Sequence, residues 1–182
     1  YAHIYGLDQK TGLEISESKS SVATKYPVMA AIGQSDNNYT TVALSRYVTA
    51  VASGKKYNYQ LMDRIVDASG KTVKKYKADY EDISDTLTDS QWDALHSGMR
   101  QVVSTMDRFQ GFDIPVAGKT GTAQQTGHAN HGLFIGYAPY DDPEITIAVR
   151  IANGYSSHNA ATAARNVTVS YTHLTLPTTE RV

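Results

Sequence analysis

Ile114-Pro115-Val116-Ala117-Gly118-Lys119-Thr120-Gly121-Thr122-Ala123 combines a strand-like entry with two glycines that flank a lysine and a threonine. Period-two alternation sets Thr120 and Thr122 on one side of a strand and Lys119 on the other. Gly118 and Gly121 leave the backbone open to close approach by a ligand. An edge strand of this composition offers N–H groups, two hydroxyls and one fixed cation to an extended molecule bearing a carboxylate. Upstream, Thr88-Asp89-Ser90-Gln91 forms a capping box, and Trp92, Leu95, Met99, Val102 and Val103 share one helical face. That pattern predicts a helix over 88–105, leading through Gly111 into the strand. Downstream, a polar loop at 124–130 precedes His131-Gly132-Leu133-Phe134-Ile135-Gly136-Tyr137-Ala138-Pro139. After a turn at Asp141-Asp142-Pro143, residues 144–152 alternate strictly, with Ile145, Ile147, Val149 and Ile151 on one face. Three strands joined by short turns predict an antiparallel sheet, and the Ala-rich residues 157–165 predict a last helix. The fold class is α+β, an antiparallel sheet with flanking helices.

The first part of the chain is less regular. Residues 1–31 read as a short apolar element and a polar, Ser-rich loop, including a second Lys-Thr-Gly at Lys10-Thr11-Gly12 that no strand pattern introduces. A turn closed by Gly12 accounts for it. Val42, Ala43, Leu44, Tyr47, Val48 and Val51 mark a helix that Asn38 or Thr40 can cap and Gly54 can end. Residues 57–77 read as a hairpin turning at Ala68-Ser69-Gly70, and the acidic stretch 79–85 as a solvated loop.

Composition bounds the function. The chain of 182 residues can bury one sizeable core, and 41% hydrophobic with 19% charged residues suits a globular chain. A net charge of −1 gives no reason to expect nucleic acid as a partner. The absence of cysteine removes thiol catalysis, disulfides and thiolate metal sites. His128 and His131 stand three apart without a third ligand placed beside them, so no metal site and no cofactor is assigned.

Acyl transfer by a serine needs a nucleophile, a base for its proton and donors aimed at the developing oxyanion. Ser16 and Lys19, and likewise Ser53 and Lys56, have the Ser-x-x-Lys spacing, while Ser35-Asp36-Asn37 fits Ser-x-Asn. A nucleophile of this kind needs its serine at a helix N-terminus with the lysine one turn on. Ser16 falls in a polar loop and Ser53 at a helix C-terminus, so neither has that support.

The succession of helix 88–105, residues 114–124 and residues 131–139 resembles the C-terminal part of the class B, monofunctional penicillin-binding protein transpeptidases. The resemblance spans about residues 1–168 and implies a β-lactamase/transpeptidase-like fold, present as a partial domain whose first two active-site motifs lie before Tyr1. It also assigns Lys10-Thr11-Gly12 to a structural segment, and places Leu133 where tryptophan is common. By position it implies that Lys119 holds the middle-motif serine and that Thr120 and Thr122 bind the terminal carboxylate of the substrate. Gly121 would leave room for the substrate backbone, and the Thr122 N–H would form half of the oxyanion hole. The implied activity is D,D-transpeptidation through a serine acyl-enzyme, cross-linking peptidoglycan stems that end in D-Ala-D-Ala, with β-lactams acting as substrate mimics. The parent would be anchored in the bacterial cytoplasmic membrane with this domain outside, alongside the wall-synthesis machinery. This chain alone would be inactive. The rivals are a serine β-lactamase or D,D-carboxypeptidase of the same fold, and a non-catalytic β-lactam sensor.

The last residues follow another logic. From Val169 to Thr178 the chain back-translates without conflict as GTC TCT TAT ACA CAT CTG ACG CTG CCG ACG, which resembles a transposon-end adapter from sequencing libraries. Residues 1–168 are therefore expected to be the natural protein and 169–182 an adapter-encoded tail.

Overall fold

The computed structural model describes residues 1–175, with side chains to residue 171. The chain divides into two compact units, Tyr1–Thr88 and Asp89–Val182.

The first unit is built around helix α2, Thr41–Ser53. The Thr40 side chain accepts from the Ala43 N–H at 3.1 Å, and Gly54, at φ 67, ends the helix in a left-handed turn. Ala43, Val48, Ala50 and Val51 are buried together with Tyr5 and Ile83. Arg46 is buried among them and grips the N-terminal turns through carbonyls: Nη1 donates to Lys10 O at 2.8 Å, Nη2 to Gly6 O at 2.5 Å and Gln9 O at 3.2 Å. A short helix α1, Pro27–Ala31, that sequence periodicity did not announce precedes α2.

The hairpin exists but is shorter than 57–77, with β2 (Arg64–Val66) paired to β3 (Thr72–Lys75). The expected solvated loop at 79–85 is corrected. Residues Asp79–Asp82 form strand β4, antiparallel to β1 at Lys55–Asn58. Opposite charges draw the acidic stretch into register. Lys55 faces Asp82, Lys56 faces Glu81 with a 2.7 Å ion pair, and Tyr57 and Tyr80 pack with centroids 5.2 Å apart.

The Lys10-Thr11-Gly12 turn has a distinct structural role. Gly12 sits at φ 97, and the Glu17 carboxylate accepts from the Thr11 hydroxyl at 2.7 Å and from the N–H groups of Thr11, Gly12 and Leu13 at 3.0, 3.1 and 3.2 Å. Burial pushes the Glu17 carboxyl up, but these donors outweigh it and leave it below its ordinary value. Its stabilising contribution is therefore full above the unfolded value near 4.5 and is lost as pH falls through the lower folded value. Glu17→Gln should lower stability at neutral pH and flatten the acid limb of a stability profile measured by denaturant. An acid limb unchanged from wild type would contradict this role.

In the second unit, helix α3, Asp89–Ser104, leads through a 3₁₀ turn at Asp107–Phe109 into a three-stranded antiparallel sheet. Its order is β5-β6-β7, with β5 Ala117–Ala123, β6 His131–Ala138 and β7 Ile145–Ile151. Helix α4 runs from Ser157 to Thr175, well beyond the expected end at Arg165, so backbone geometry draws no boundary at Thr168. Residues 176–182 of the expected tail lie outside the described residues. The core of this unit joins Val103, Phe109, Val116, Phe134 and Ile147 to the small face of α4 at Ala160, Ala161 and Ala164.

One close approach shapes the sheet. Gly118 faces Gly136 across β5 and β6, and the Phe134 ring lies over the pair. A Cβ on Gly118 would stand 2.5 Å from Phe134 Cζ and 2.7 Å from the Ile135 carbonyl oxygen. Openness to a ligand, the sequence-based reason for Gly118, is corrected to packing. Gly118→Ala should cost about 1–3 kcal/mol of unfolding free energy by denaturant titration. Gly121→Ala, whose Cβ would meet Leu133 Cβ at 3.4 Å, should cost less. Equal costs at the two positions would overturn this account.

Candidate active site

The residues singled out from the sequence fall together on β5. In the three-stranded sheet β5 is hydrogen-bonded to β6 on one side and stands at the edge on the other. Cross-strand partners share a face, and Thr120 is opposite Phe134, Gly121 opposite Leu133 and Thr122 opposite Gly132. Thr120 therefore shares the face of the buried Phe134 and is itself half-buried, whereas Thr122, further along that face, is exposed. Lys119 occupies the opposite face, opposite Ile135, and is exposed. Its ammonium donates to the Thr120 carbonyl oxygen at 3.0 Å, which curls the side chain back along its own strand. No hydrogen bond is made by the Thr120 or Thr122 hydroxyl among the described residues.

The strand is braced at its start. Arg100 Nη1 on α3 donates to the Val116 carbonyl oxygen at 3.2 Å. The His96 ring on the same helix meets Tyr137 edge-on, with centroids 6.0 Å apart, and Tyr137 is the register partner of Ala117. Burial first, then the neighbouring Tyr140, pushes the Tyr137 phenol up to about 12, so it stays neutral at physiological pH. Sequence reasoning missed Arg100. It lies off the apolar stripe of its helix, and no pattern distinguishes a guanidinium that will reach a carbonyl from one in solvent. Two fixed points on α3 thus set the direction in which the edge leaves the core.

The other apparent motifs have local explanations in the first unit. Ser35, at φ 71, has two acceptors within reach of its one hydroxyl proton, the Lys25 carbonyl oxygen at 2.8 Å and Asp36 Oδ1 at 2.9 Å. Asn37 Oδ1 accepts from the Ala23 N–H and the Tyr39 hydroxyl, at 2.8 and 2.6 Å. Ser53 donates to the Thr49 carbonyl oxygen at 2.8 Å in the last turn of α2, and Ser16 is exposed outside any helix or strand. None of them has the helix N-terminal setting of a nucleophile. His131 Nδ1 accepts from the Asn153 N–H at 3.0 Å. Among the described residues no group of three His, Cys, Asp or Glu side chains is placed to hold a metal ion.

An edge strand of this kind can bind an anionic group through an ammonium and hydroxyls and can pair with an extended chain. Residues 1–169 match the penicillin binding protein transpeptidase domain. Peptidoglycan D,D-transpeptidase MrdA of Haemophilus influenzae is 27% identical over 97% of this chain and 33% of its own length. Penicillin-binding protein 2B of Streptococcus pneumoniae is 31% identical over 80% of this chain and 24% of its own. The chain thus spans a third or less of these two relatives. The imipenem acyl-enzyme of penicillin-binding protein A from M. tuberculosis superposes with a TM-score of 0.82, at 21% identity, over 93% of this chain and 40% of that one. That likeness identifies the fold as that of the transpeptidase domains, here in part.

Proposed function

This chain belongs to the penicillin-binding protein transpeptidase family, and on that premise we propose that it carries the substrate-binding edge of a peptidoglycan D,D-transpeptidase. The observation that carries the reading is the placement of Lys119, Thr120, Gly121 and Thr122 in one run along the edge strand β5. In this reading Lys119 turns from its own strand's carbonyl toward a serine of the middle motif and keeps the local field positive. Thr120 and Thr122 bind the terminal carboxylate of a D-Ala-D-Ala stem, and Gly121 lets the stem backbone lie along β5. The nucleophilic serine and its lysine base come from the parent outside residues 1–182. The serine oxygen adds to the penultimate D-Ala carbonyl, and the Thr122 N–H is one of the two donors to the resulting oxyanion. Such a donor is worth about 2.7–4 kcal/mol in the transition state. Terminal D-Ala leaves, and an amine of a neighbouring stem takes the acyl group and releases the serine.

β-Lactams acylate the same serine in this proposal, which the imipenem acyl-enzyme of the M. tuberculosis relative supports. The parent is held in the cytoplasmic membrane beside the wall-synthesis machinery, with this domain outside. Among the described residues no helix is long and apolar enough to cross a membrane. We also propose that residues 169–182 are adapter-encoded, a reading supported by the back-translation.

The test is acylation of the full-length parent by a fluorescent penicillin, read after denaturing electrophoresis. Lys119→Ala should slow acylation at least a hundredfold, on the scale of losing an electrostatic contact in the transition state. Its unfolding midpoint should stay near wild type, because Lys119 is exposed. A folded Lys119→Ala parent that acylates at the wild-type rate would refute the assignment. Labelling of the 182-residue chain at Ser16, Ser35 or Ser53 would refute placement of the nucleophile elsewhere.

A further inference from the structure

The hairpin of β2 and β3 takes no part in the reading above. Every residue of both strands is exposed, including Ile65, Val66 and Val73, and Val73 is 67% open to solvent. Between Leu61 and Lys77 five basic side chains stand against two acidic ones, in a chain whose net charge is −1. The charge is unevenly divided between the strands. Residues 71–77 carry four lysines and no acid, whereas β2 runs between Asp63 and Asp67. Among the described residues none of these lysines is ion-paired, and Lys74 lies over the Tyr76 ring at 4.4 Å. Arg64 stands opposite Lys75, and like charges placed across a strand pair are destabilising. A basic, partly apolar face of this kind is suited to contact with an acidic one.

The backbone is open along the same strand. Tyr76 N–H donates to the Asp63 carbonyl oxygen at 2.8 Å, toward β2. Alternation along an antiparallel strand then turns the N–H and C=O of Lys75 away from β2. Among the described residues β2 is the one strand paired with β3, so those groups lie at an open edge. A hairpin of two strands is marginal by itself in water, yet this one is fixed at both ends. At its turn the Asp67 carboxylate accepts from the N–H groups of Ser69 and Lys71 at 2.9 and 3.0 Å. At its base Glu14 accepts from the Leu61 N–H at 2.8 Å. A strand held in this way loses little conformational freedom when another chain pairs with it.

We propose that the outer edge of β3 receives an acidic, extended segment of a partner protein as a third strand. Backbone pairing gives the outward groups of Lys75 their partners, carboxylates of the segment meet the lysines of residues 71–77, and its apolar side chains cover Val73. Two other occupants fit less well. A lipid interior offers nothing to unpaired strand groups, and a second copy of this chain brings the same lysines to the contact. The proposal stands apart from the transpeptidase reading, since it uses no residue of β5.

The experiment uses the full 182-residue chain and, as probe, a short fluorescent peptide of alternating Glu and Val, read by anisotropy. The peptide should bind, and Lys74→Glu combined with Lys75→Glu should weaken it about tenfold, because two attractive contacts become repulsive. A peptide of the same charge with proline at its centre should bind about tenfold more weakly than the alternating one, since proline cannot donate to a ladder. Amide exchange followed by NMR gives a readout on wild type that needs no variant to fold: bound peptide should slow exchange at Lys75 about tenfold or more. The proposal is overturned if the alternating peptide does not bind or if the proline peptide binds as well. It is equally overturned if folded charge-reversed protein keeps wild-type affinity or if Lys75 exchange is unaffected. Sedimentation with phosphatidylglycerol vesicles, or dimerisation, that depends on these lysines and replaces peptide binding would give the face to lipid or to a second copy, and would overturn it too.

Discussion

The contact on which the second unit depends is the Phe134 ring lying over the Gly118–Gly136 pair. Glycines at both facing positions let the ring lie flat against the backbone of two strands, and Phe134 is 1% exposed as a result. Its other neighbours follow from that placement. Phe109 stacks on it with centroids 6.0 Å apart, and the alanine face of α4 completes the cluster. Burying an aromatic ring of this size contributes on the order of 2–3 kcal/mol. It also fixes the height of β5 above the core, and with it the plane in which Thr120 and Thr122 stand. The glycine that opens the lysine-threonine motif is thus a packing residue, and the edge bearing the candidate chemistry takes its position from a hydrophobic contact one residue away.

The first unit is held by polar means. Arg46 reaches three carbonyls, and Glu17 collects one hydroxyl and three N–H groups. Each charge closes turns whose backbone groups would otherwise lack partners. Both are exacting arrangements: a lysine in place of Arg46 could not fork to separate carbonyls, and a neutral amide in place of Glu17 would be a weaker acceptor for four donors. The second Lys-Thr-Gly is explained in this way. Its threonine hydroxyl and following N–H groups face an internal carboxylate and are not available to an external one.

The two copies of the tripeptide show how context decides chemistry. At Lys10-Thr11-Gly12 the threonine is buried and committed to Glu17. At Lys119-Thr120-Gly121 the lysine is exposed, and the strand lies at the edge of its sheet. The same residues therefore perform a structural task in a turn and suit a binding task on an edge. The family match over residues 1–169 includes both.

Strand alternation, the threonine cap of α2 and the motif on β5 were legible because they depend on neighbours within a few residues. Thr40 capped α2 and Gly54 ended it, and all three strands of the second unit lie where alternation placed them. The strand at Asp79–Asp82 was not legible, because its cause is a register with Lys55 and Lys56 more than twenty residues earlier. Arg100, the role of Gly118 and the tie from His131 to Asn153 were hidden for the same reason. By itself the sequence determined which residues can form the edge strand, its face pattern and the turn positions, since φ/ψ preference and period-two alternation are local. The tertiary structure alone decided which glycine serves packing, which arginine braces the strand and which histidine nitrogen must be an acceptor, since each is set by a distant atom occupying a particular space.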